Sequence, residues 1–81
     1  MKAHIFVTLK RTVLDPQGQT IQRALASMGH PEIEAVRQGK FFEVELAETM
    51  EAGAARALLE KLAEDVLANP VIEEYRVELL D

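Results

Sequence analysis

The chain has 81 residues and a formal net charge of −5, with nine Lys and Arg scattered among fourteen Asp and Glu. Because a nucleic-acid site needs a concentrated positive stripe, this composition excludes nucleic acid as an expected partner. The chain contains no Cys, which excludes disulfides, thiolate metal sites and a cysteine nucleophile within it.

The first predicted element is a strand over Ala3–Leu9, in which aliphatic residues alternate with His4, Phe6 and Thr8. The stretch lacks both a secretory hydrophobic region and a membrane-length span. We therefore expect a cytoplasmic protein with no membrane partner.

A helix is predicted next, over about residues 16–28. Asp15 suits the N-cap, because its carboxylate can accept hydrogen bonds from the unpaired backbone N–H groups of the first turn. Pro16 suits the first helical position, where the N–H that proline lacks would have no partner within the helix. The run Asp15–Gly18 has neither the glycines nor the Lys-Ser/Thr of a phosphate-binding loop. Gly29 and Pro31 close the helix.

A β-hairpin is predicted around Gln38-Gly39, with strands over 33–37 and 40–46. This register pairs Arg37 with Lys40 and Val36 with Phe41. It turns one set of residues inward and another outward. The inward set is Ile33, Ala35, Phe42, Val44 and Leu46, and the outward set is Glu34, Val36, Phe41, Glu43 and Glu45.

A second helix with Thr49 as its N-cap is predicted to end at Asn69-Pro70, and a final strand to cover 71–80. The element order is β-α-β-β-α-β. Right-handed crossovers place both helices on one face of a four-stranded antiparallel sheet, an α+β fold of the ferredoxin-like type or a close relative. The length predicts a single domain, residues 1–81.

The polar residues give little support to a catalytic or metal-binding site. His4 and His30 stand alone, without carboxylates at metal-ligand spacing. Glu43 and Glu45 share a strand face, where acids ordinarily keep an exposed strand soluble. Arg37 and Lys40 repel each other across the predicted hairpin, which makes them candidates for docking on an acidic partner, although solvent can also relieve the repulsion.

Three apolar side chains, Phe6, Val36 and Phe41, are predicted on the sheet face that carries no helix. Scattered apolar residues are common on protein surfaces. Two of these three are paired directly, however, on a chain too short for a large core. We therefore interpret them as self-association candidates.

The sequence resembles the PurS family, the small subunit of phosphoribosylformylglycinamidine (FGAM) synthase. The resemblance covers essentially the whole chain. It rests on four runs: Val7–Lys10, Val13–Gly18, Val36–Lys40 and Leu67–Tyr75.

The resemblance implies a PurS-like fold and a homodimer or a dimer of dimers. It also implies that the chain bridges a large synthetase subunit (PurL) and a glutaminase subunit (PurQ), and that ammonia passes between these two. ATP and Mg²⁺ are expected on the large subunit. No catalytic, cofactor-binding or metal-binding residue is expected in this chain.

Two alternatives follow from the residues alone. One is a small homo-oligomeric regulatory module of ferredoxin-like fold that binds a metabolite. The other is a small isomerase with His4 or Glu43 as its base.

Overall fold

The computed structural model describes residues 1–80, which form three strands and two α-helices. In chain order these are β1 (Lys2–Leu9), α1 (Pro16–Ser27), β2 (Gly39–Glu45), α2 (Ala52–Leu62) and β3 (Glu73–Leu80). A π-helical turn over Ala63–Leu67 continues α2. The strands form one antiparallel sheet in the order β2-β1-β3, which confirms the predicted α+β class with an antiparallel sheet.

The core lies between the sheet and α2. Ala3, Ile5 and Val7 on the central strand are fully buried and pack in one cluster with Leu59 of α2. Strand alternation explains this burial, because every second side chain of β1 points to the face that α2 covers. The predicted alternation of the first strand is therefore confirmed at these three positions.

The predicted hairpin around Gln38-Gly39 is wrong for this chain. In the described residues, the run 33–37 is not a strand, and the neighbour of β2 is β1. Phe41 therefore lies opposite Phe6 rather than Val36, and Lys40 lies opposite Val7 rather than Arg37. The chain does not turn at Gln38, because its backbone N–H is bonded to Asp15 at the start of α1.

The molecule is elongated, and α1 with the segment that returns from it lies outside the core. The β1–β2 ladder ends at Thr8 and Gly39, so the chain leaves and re-enters the sheet at the same end. We call residues 16–35 the arm. The radius of gyration is 16.1 Å, against about 12 Å for a compact chain of this length, and the extents are 50 × 27 × 14 Å. The only buried residue of α1 is Gly18, so this helix contributes no side chain to the core.

The helix ends follow local hydrogen bonding. Asp15 is the N-cap of α1 and Pro16 its first residue, as predicted, and Gly29 after its end has a φ of 93°. The prediction of Thr49 as the second N-cap is wrong, since Glu51 caps α2 by accepting from the N–H of Gly53 at 3.0 Å. Thr49 lies instead in a turn closed by the 3.1 Å bond from Met50 N to the carbonyl of Ala47. No helix among residues 1–80 is long and apolar enough to cross a membrane.

Candidate assembly surfaces

Two passes of the chain join the arm to the sheet. We call residues 9–15 together with 36–39 the neck. Asp15, at the end of the first pass and only 4% exposed, binds both the start of α1 and the second pass: its Oδ1 accepts from Gly18 N at 2.9 Å and its Oδ2 from Gln38 N at 2.7 Å. The bond from Gln38, followed by that from Gly18, lowers the pKa of Asp15 because both favour the charged carboxylate. The N-cap of α1 thus also fixes the entry to β2.

Arg37, on the second pass of the neck, binds main-chain carbonyls of the first pass. Its Nη2 donates to the carbonyls of Lys10 at 2.9 Å and Val13 at 3.1 Å, with Leu9 at 3.5 Å. The positive charge that was predicted to face Lys40 therefore faces main-chain carbonyls of its own chain. Lys40 Nζ lies 3.6 Å from Glu73 Oε2. The predicted opposition of Arg37 and Lys40 within one hairpin is wrong, whereas their docking role stays a prediction.

Gly18 is required by the close approach of the two passes. A Cβ at this position would lie 2.1 Å from the carbonyl oxygen of Val36, which only backbone movement could relieve. The neck brings together three of the runs on which the family resemblance rests, Val7–Lys10, Val13–Gly18 and Val36–Lys40. Their shared role in this structure is to hold the arm in position.

Two open grooves border the neck. The larger, about 290 Å³, is lined in part by Gln19, Arg23 and Glu34. The smaller, about 160 Å³, is lined in part by Lys40 and Glu73. Both volumes fall below the roughly 300–1,000 Å³ typical of pockets for small organic ligands. The broader surfaces of the molecule are therefore stronger candidates for recognition than its grooves.

The sheet face without a helix carries a cluster of rings, which we call the aromatic face. Phe6 and Phe41 lie opposite each other with centroids 5.3 Å apart. The ring of His4 meets that of Phe41 edge-on at 4.8 Å, and the guanidinium of Arg76 lies 4.4 Å above Phe6. Phe41 is 55% exposed, so the cluster offers solvent a rigid apolar surface with a cation beside it.

The structure confirms the predicted placement of Phe6 and Phe41 on the helix-free face. Val36 is not with them, because its strand does not form and its carbonyl packs on Gly18. Sequence reasoning missed Arg76 in this cluster. Alternation along the last strand puts Arg76 on the face opposite Tyr75 and Val77, but its position above Phe6 follows only from the pairing of β3 with β1.

The histidines are paired with single carboxylates. His4 Nε2 lies 3.4 Å from Glu43 Oε1, on the aromatic face. His30 Nδ1 lies 3.3 Å from Glu32 Oε1, in the loop that follows α1. The two histidines thus belong to separate parts of the molecule.

The opposite face of the sheet is only partly covered. Helix α2 packs against β3, and its Leu59 joins the buried residues of β1, whereas Phe42, Val44 and Leu46 at the edge of this core remain partly buried. Leu58 and Leu62 on α2 are 37% and 39% exposed. Two apolar surfaces, one from the sheet and one from the helix, are therefore left without full cover.

Comparison with known proteins places this small α+β protein in a defined class. The family model described as "PurS: Phosphoribosylformylglycinamidine (FGAM) synthase" matches residues 2–81. A PurS subunit of FGAM synthase from Bacillus subtilis is 41% identical over 78 residues, which span 96% of this chain and 90% of the relative. A PurS subunit from Mycobacterium leprae is 43% identical over 76 residues, spanning 94% and 91%.

Solved structures agree. B. subtilis PurS superposes with a TM-score of 0.86 at 40% identity, covering 99% of this chain and 98% of that one. A chain in the structure of PurLQS from Thermotoga maritima gives a TM-score of 0.84 at 34% identity, covering 98% and 95%. The chain belongs to the PurS family, the small subunits of the FGAM synthase ligase of purine biosynthesis. The resemblance stated from the sequence is thereby confirmed.

Proposed function

We propose that this chain is the bridging subunit of FGAM synthase. It joins the large synthetase subunit to the glutaminase subunit in the cytoplasm and assists the transfer of ammonia between them. It acts as a homodimer or a dimer of dimers. ATP and Mg²⁺ belong to the large subunit, and this chain supplies surfaces rather than reacting groups.

The observation that carries this proposal is the aromatic face. An exposed Phe41 on β2, packed against Phe6 and His4 of the paired strand β1, is held rigid at little entropic cost. Aromatic and Arg side chains in such arrangements are the usual anchors of protein interfaces. The T. maritima relative found within PurLQS supports the identity of the partners.

Lys40 and the neck supply the charged part of the proposed docking surface. The side chain of Lys40 is 57% exposed and carries its charge beside the entry to β2. Arg37 acts through the neck, since its guanidinium is engaged with carbonyls of the chain itself. Charge at such a rim mainly accelerates encounter with an acidic partner surface.

Reconstitution from separated subunits tests the proposal. We expect glutamine-dependent synthesis of FGAM to require this chain, while synthesis from added ammonium salt by the large subunit needs it far less. Glutamine-dependent synthesis that proceeds equally well without the chain would refute the bridging role. Specific retention of a common metabolite by the isolated chain in equilibrium dialysis would instead favour a regulatory module.

A further inference from the structure

We propose that two copies of this chain pair through the outer edge of β3, so that their sheets join into one antiparallel sheet of the order β2-β1-β3-β3-β1-β2. The two β3 strands run antiparallel about a two-fold axis at Val77. This interface deepens the self-association proposed above. Its tests use the isolated chain, so their outcome is independent of the bridging role and of the other subunits.

The outer edge of β3 is open. Within residues 1–80, β3 pairs only with β1 and stands at one end of the sheet. The strand contains neither Pro nor Lys, and its register with β1 is continuous, without a bulge. Natural sheets commonly use Pro, Lys, a bulge or a covering segment to prevent pairing at an edge. The edge of β3 therefore remains suitable for pairing with another strand.

The backbone groups that face this edge belong to every second residue of β3. The 2.8 Å bond from Lys10 N to the carbonyl of Ile72 extends the β1–β3 register and shows which residues bond to β1. In an antiparallel pair, the N–H and C=O of one residue point to the same side, and this side alternates along the strand. The residues whose backbone groups point outward are therefore Tyr75, Val77 and Leu79.

One of these outward groups already has a partner. Arg56 of α2 donates from Nη1 to the carbonyl of Val77, which agrees with the outward direction of that carbonyl. The contact is long, at 3.4 Å, and the same nitrogen lies 3.7 Å from Glu60 Oε2. When another strand takes the carbonyl of Val77, Arg56 therefore keeps Glu60 as its partner.

The charges on β3 select a second copy of β3 as the partner strand. On the aromatic face, Arg76 and Glu78 are bonded to each other within one chain. An axis at Val77 places Arg76 of each copy directly opposite Glu78 of the other, which adds a pair of opposite charge on each side of the axis. Moving the axis by one residue in either direction would set Arg76 against Arg76 or Glu78 against Glu78. The charge pattern thus also fixes the register.

The other face of the joined strands is apolar. Tyr75 and Leu79 are partly buried residues that pack against the core, and Val77 is 8% exposed. In the proposed register, Tyr75 of one copy lies beside Leu79 of the other, and the two Val77 residues lie beside each other. These are the residues whose outward backbone groups face each other, so each such pair exchanges two backbone hydrogen bonds. Side chains and backbone therefore favour the same register.

Cysteine cross-linking of the isolated chain tests this pairing, because the natural sequence contains no Cys. In the proposed register, Glu74 of one copy lies opposite Leu80 of the other. We therefore expect a mixture of Glu74→Cys and Leu80→Cys, refolded together and oxidised, to give a covalent dimer. Each variant alone should stay monomeric on a non-reducing gel, since two copies of residue 74, like two copies of residue 80, are about 20 Å apart.

A mixture of Glu74→Cys with Glu43→Cys is the control. Glu43 is exposed on the same face of the sheet, but it lies on β2, two strands away from this edge. Cross-linking in the control as efficient as in the test mixture would indicate contact between stacked faces and overturn the edge pairing. A test mixture that gives no more covalent dimer than the single variants would overturn it as well.

Exchanged charges give a test without cysteine. Arg76→Glu and Glu78→Arg each bring like charges together in the proposed register, so each variant alone should have a dissociation constant raised by roughly tenfold. An equimolar mixture should recover the association of the parent, because every facing pair then has opposite charges again. Light scattering of the two variants and of their mixture measures this recovery. A mixture that associates no better than the variants alone would refute the register.

Hydrogen exchange, resolved residue by residue on the unaltered chain, gives a further test. In the dilute chain, the N–H groups of Arg76 and Glu78 are bonded to β1 and should exchange slowly, whereas those of Tyr75, Val77 and Leu79 face solvent and should exchange fast. At concentrations where the chain is associated, all of them should exchange slowly. Fast exchange of Tyr75 and Leu79 in the associated chain would rule out the pairing.

Discussion

The backbone N–H of Gln38 donates a 2.7 Å hydrogen bond to Oδ2 of Asp15, 23 residues earlier in the chain. The same carboxylate caps α1 through Gly18, so one side chain sets both the start of the helix and the path into β2. We therefore expect a substitution of Asp15 to change how the arm is held relative to the sheet.

Asp15 should make stability depend on pH in the acid range. Its pKa in the folded chain lies below the ordinary value of 3.8. Its contribution to the free energy of unfolding is therefore complete above pH 3.8 and is lost as the pH falls through the folded pKa. Asp15→Asn should remove this part of the acid sensitivity. Urea unfolding followed from neutral pH down to about pH 2 measures it. Glu48→Gln, in the exposed loop before α2, should behave like the parent; equal acid sensitivity in Asp15→Asn and the parent would contradict the assignment.

Gly18→Ala should destabilise the chain by about 1–3 kcal/mol, because the added methyl meets the carbonyl of Val36. Gly53→Ala is the matched control in α2. Its Cβ meets only the flexible carboxylate of Glu51, and alanine is the better helix former, so stability should be unchanged or higher by up to about 1 kcal/mol. The denaturant midpoints of unfolding of the two variants measure this difference. Equal losses of stability in Gly18→Ala and Gly53→Ala would mean that close packing at the neck is unimportant.

Arg37→Ala should lower stability by about 1 kcal/mol, since it removes the donors to the neck carbonyls at a position partly screened by solvent. Arg37→Lys should recover little, because an ammonium cannot reproduce the planar array of donors. Arg11→Ala, in the adjacent exposed loop, should have no measurable effect in the same unfolding experiment.

Lys40→Ala tests docking apart from folding. We expect it to raise the amount of this chain needed for half-maximal glutamine-dependent activity by a few fold at low salt, and less at moderate salt. Lys61→Ala, on α2, should not change the titration. The double variant Arg37→Ala, Lys40→Ala should be affected at least as strongly. If it titrates like the parent at both salt concentrations, neither residue docks on a partner.

Phe41→Glu should weaken self-association by about 2 kcal/mol, or roughly 30-fold in the dissociation constant, by placing a charge within the aromatic face. Val71→Glu changes a residue that is 77% exposed in the turn before β3, outside the aromatic face, and should leave association intact. Light scattering over a dilution series compares them. An unchanged oligomer for Phe41→Glu would remove this face from the interface.

Local signals in the sequence predicted the elements that depend on neighbouring residues. Asp15-Pro16 marks the start of α1 because capping is decided within one turn. The alternation of Ala3, Ile5 and Val7 marks their burial because side chains of a strand alternate between faces. The four runs shared with the PurS family were enough to identify the family, because they follow one another in the same order along the chain.

The position at which the chain turns depends instead on contacts between residues that are far apart in the sequence. Gln38-Gly39 favours a tight hairpin locally. In the folded chain, however, the N–H of Gln38 donates a hydrogen bond to Asp15, and the carbonyl of Val36 packs on Gly18. Arg37, which looked like a surface charge, reaches three carbonyls on another pass of the chain. Thus the sequence by itself determined the family, the helix start at Asp15 and the buried face of β1. The tertiary structure alone decided the straight path through Gln38, because its hydrogen bond joins residues that only the folded chain brings together.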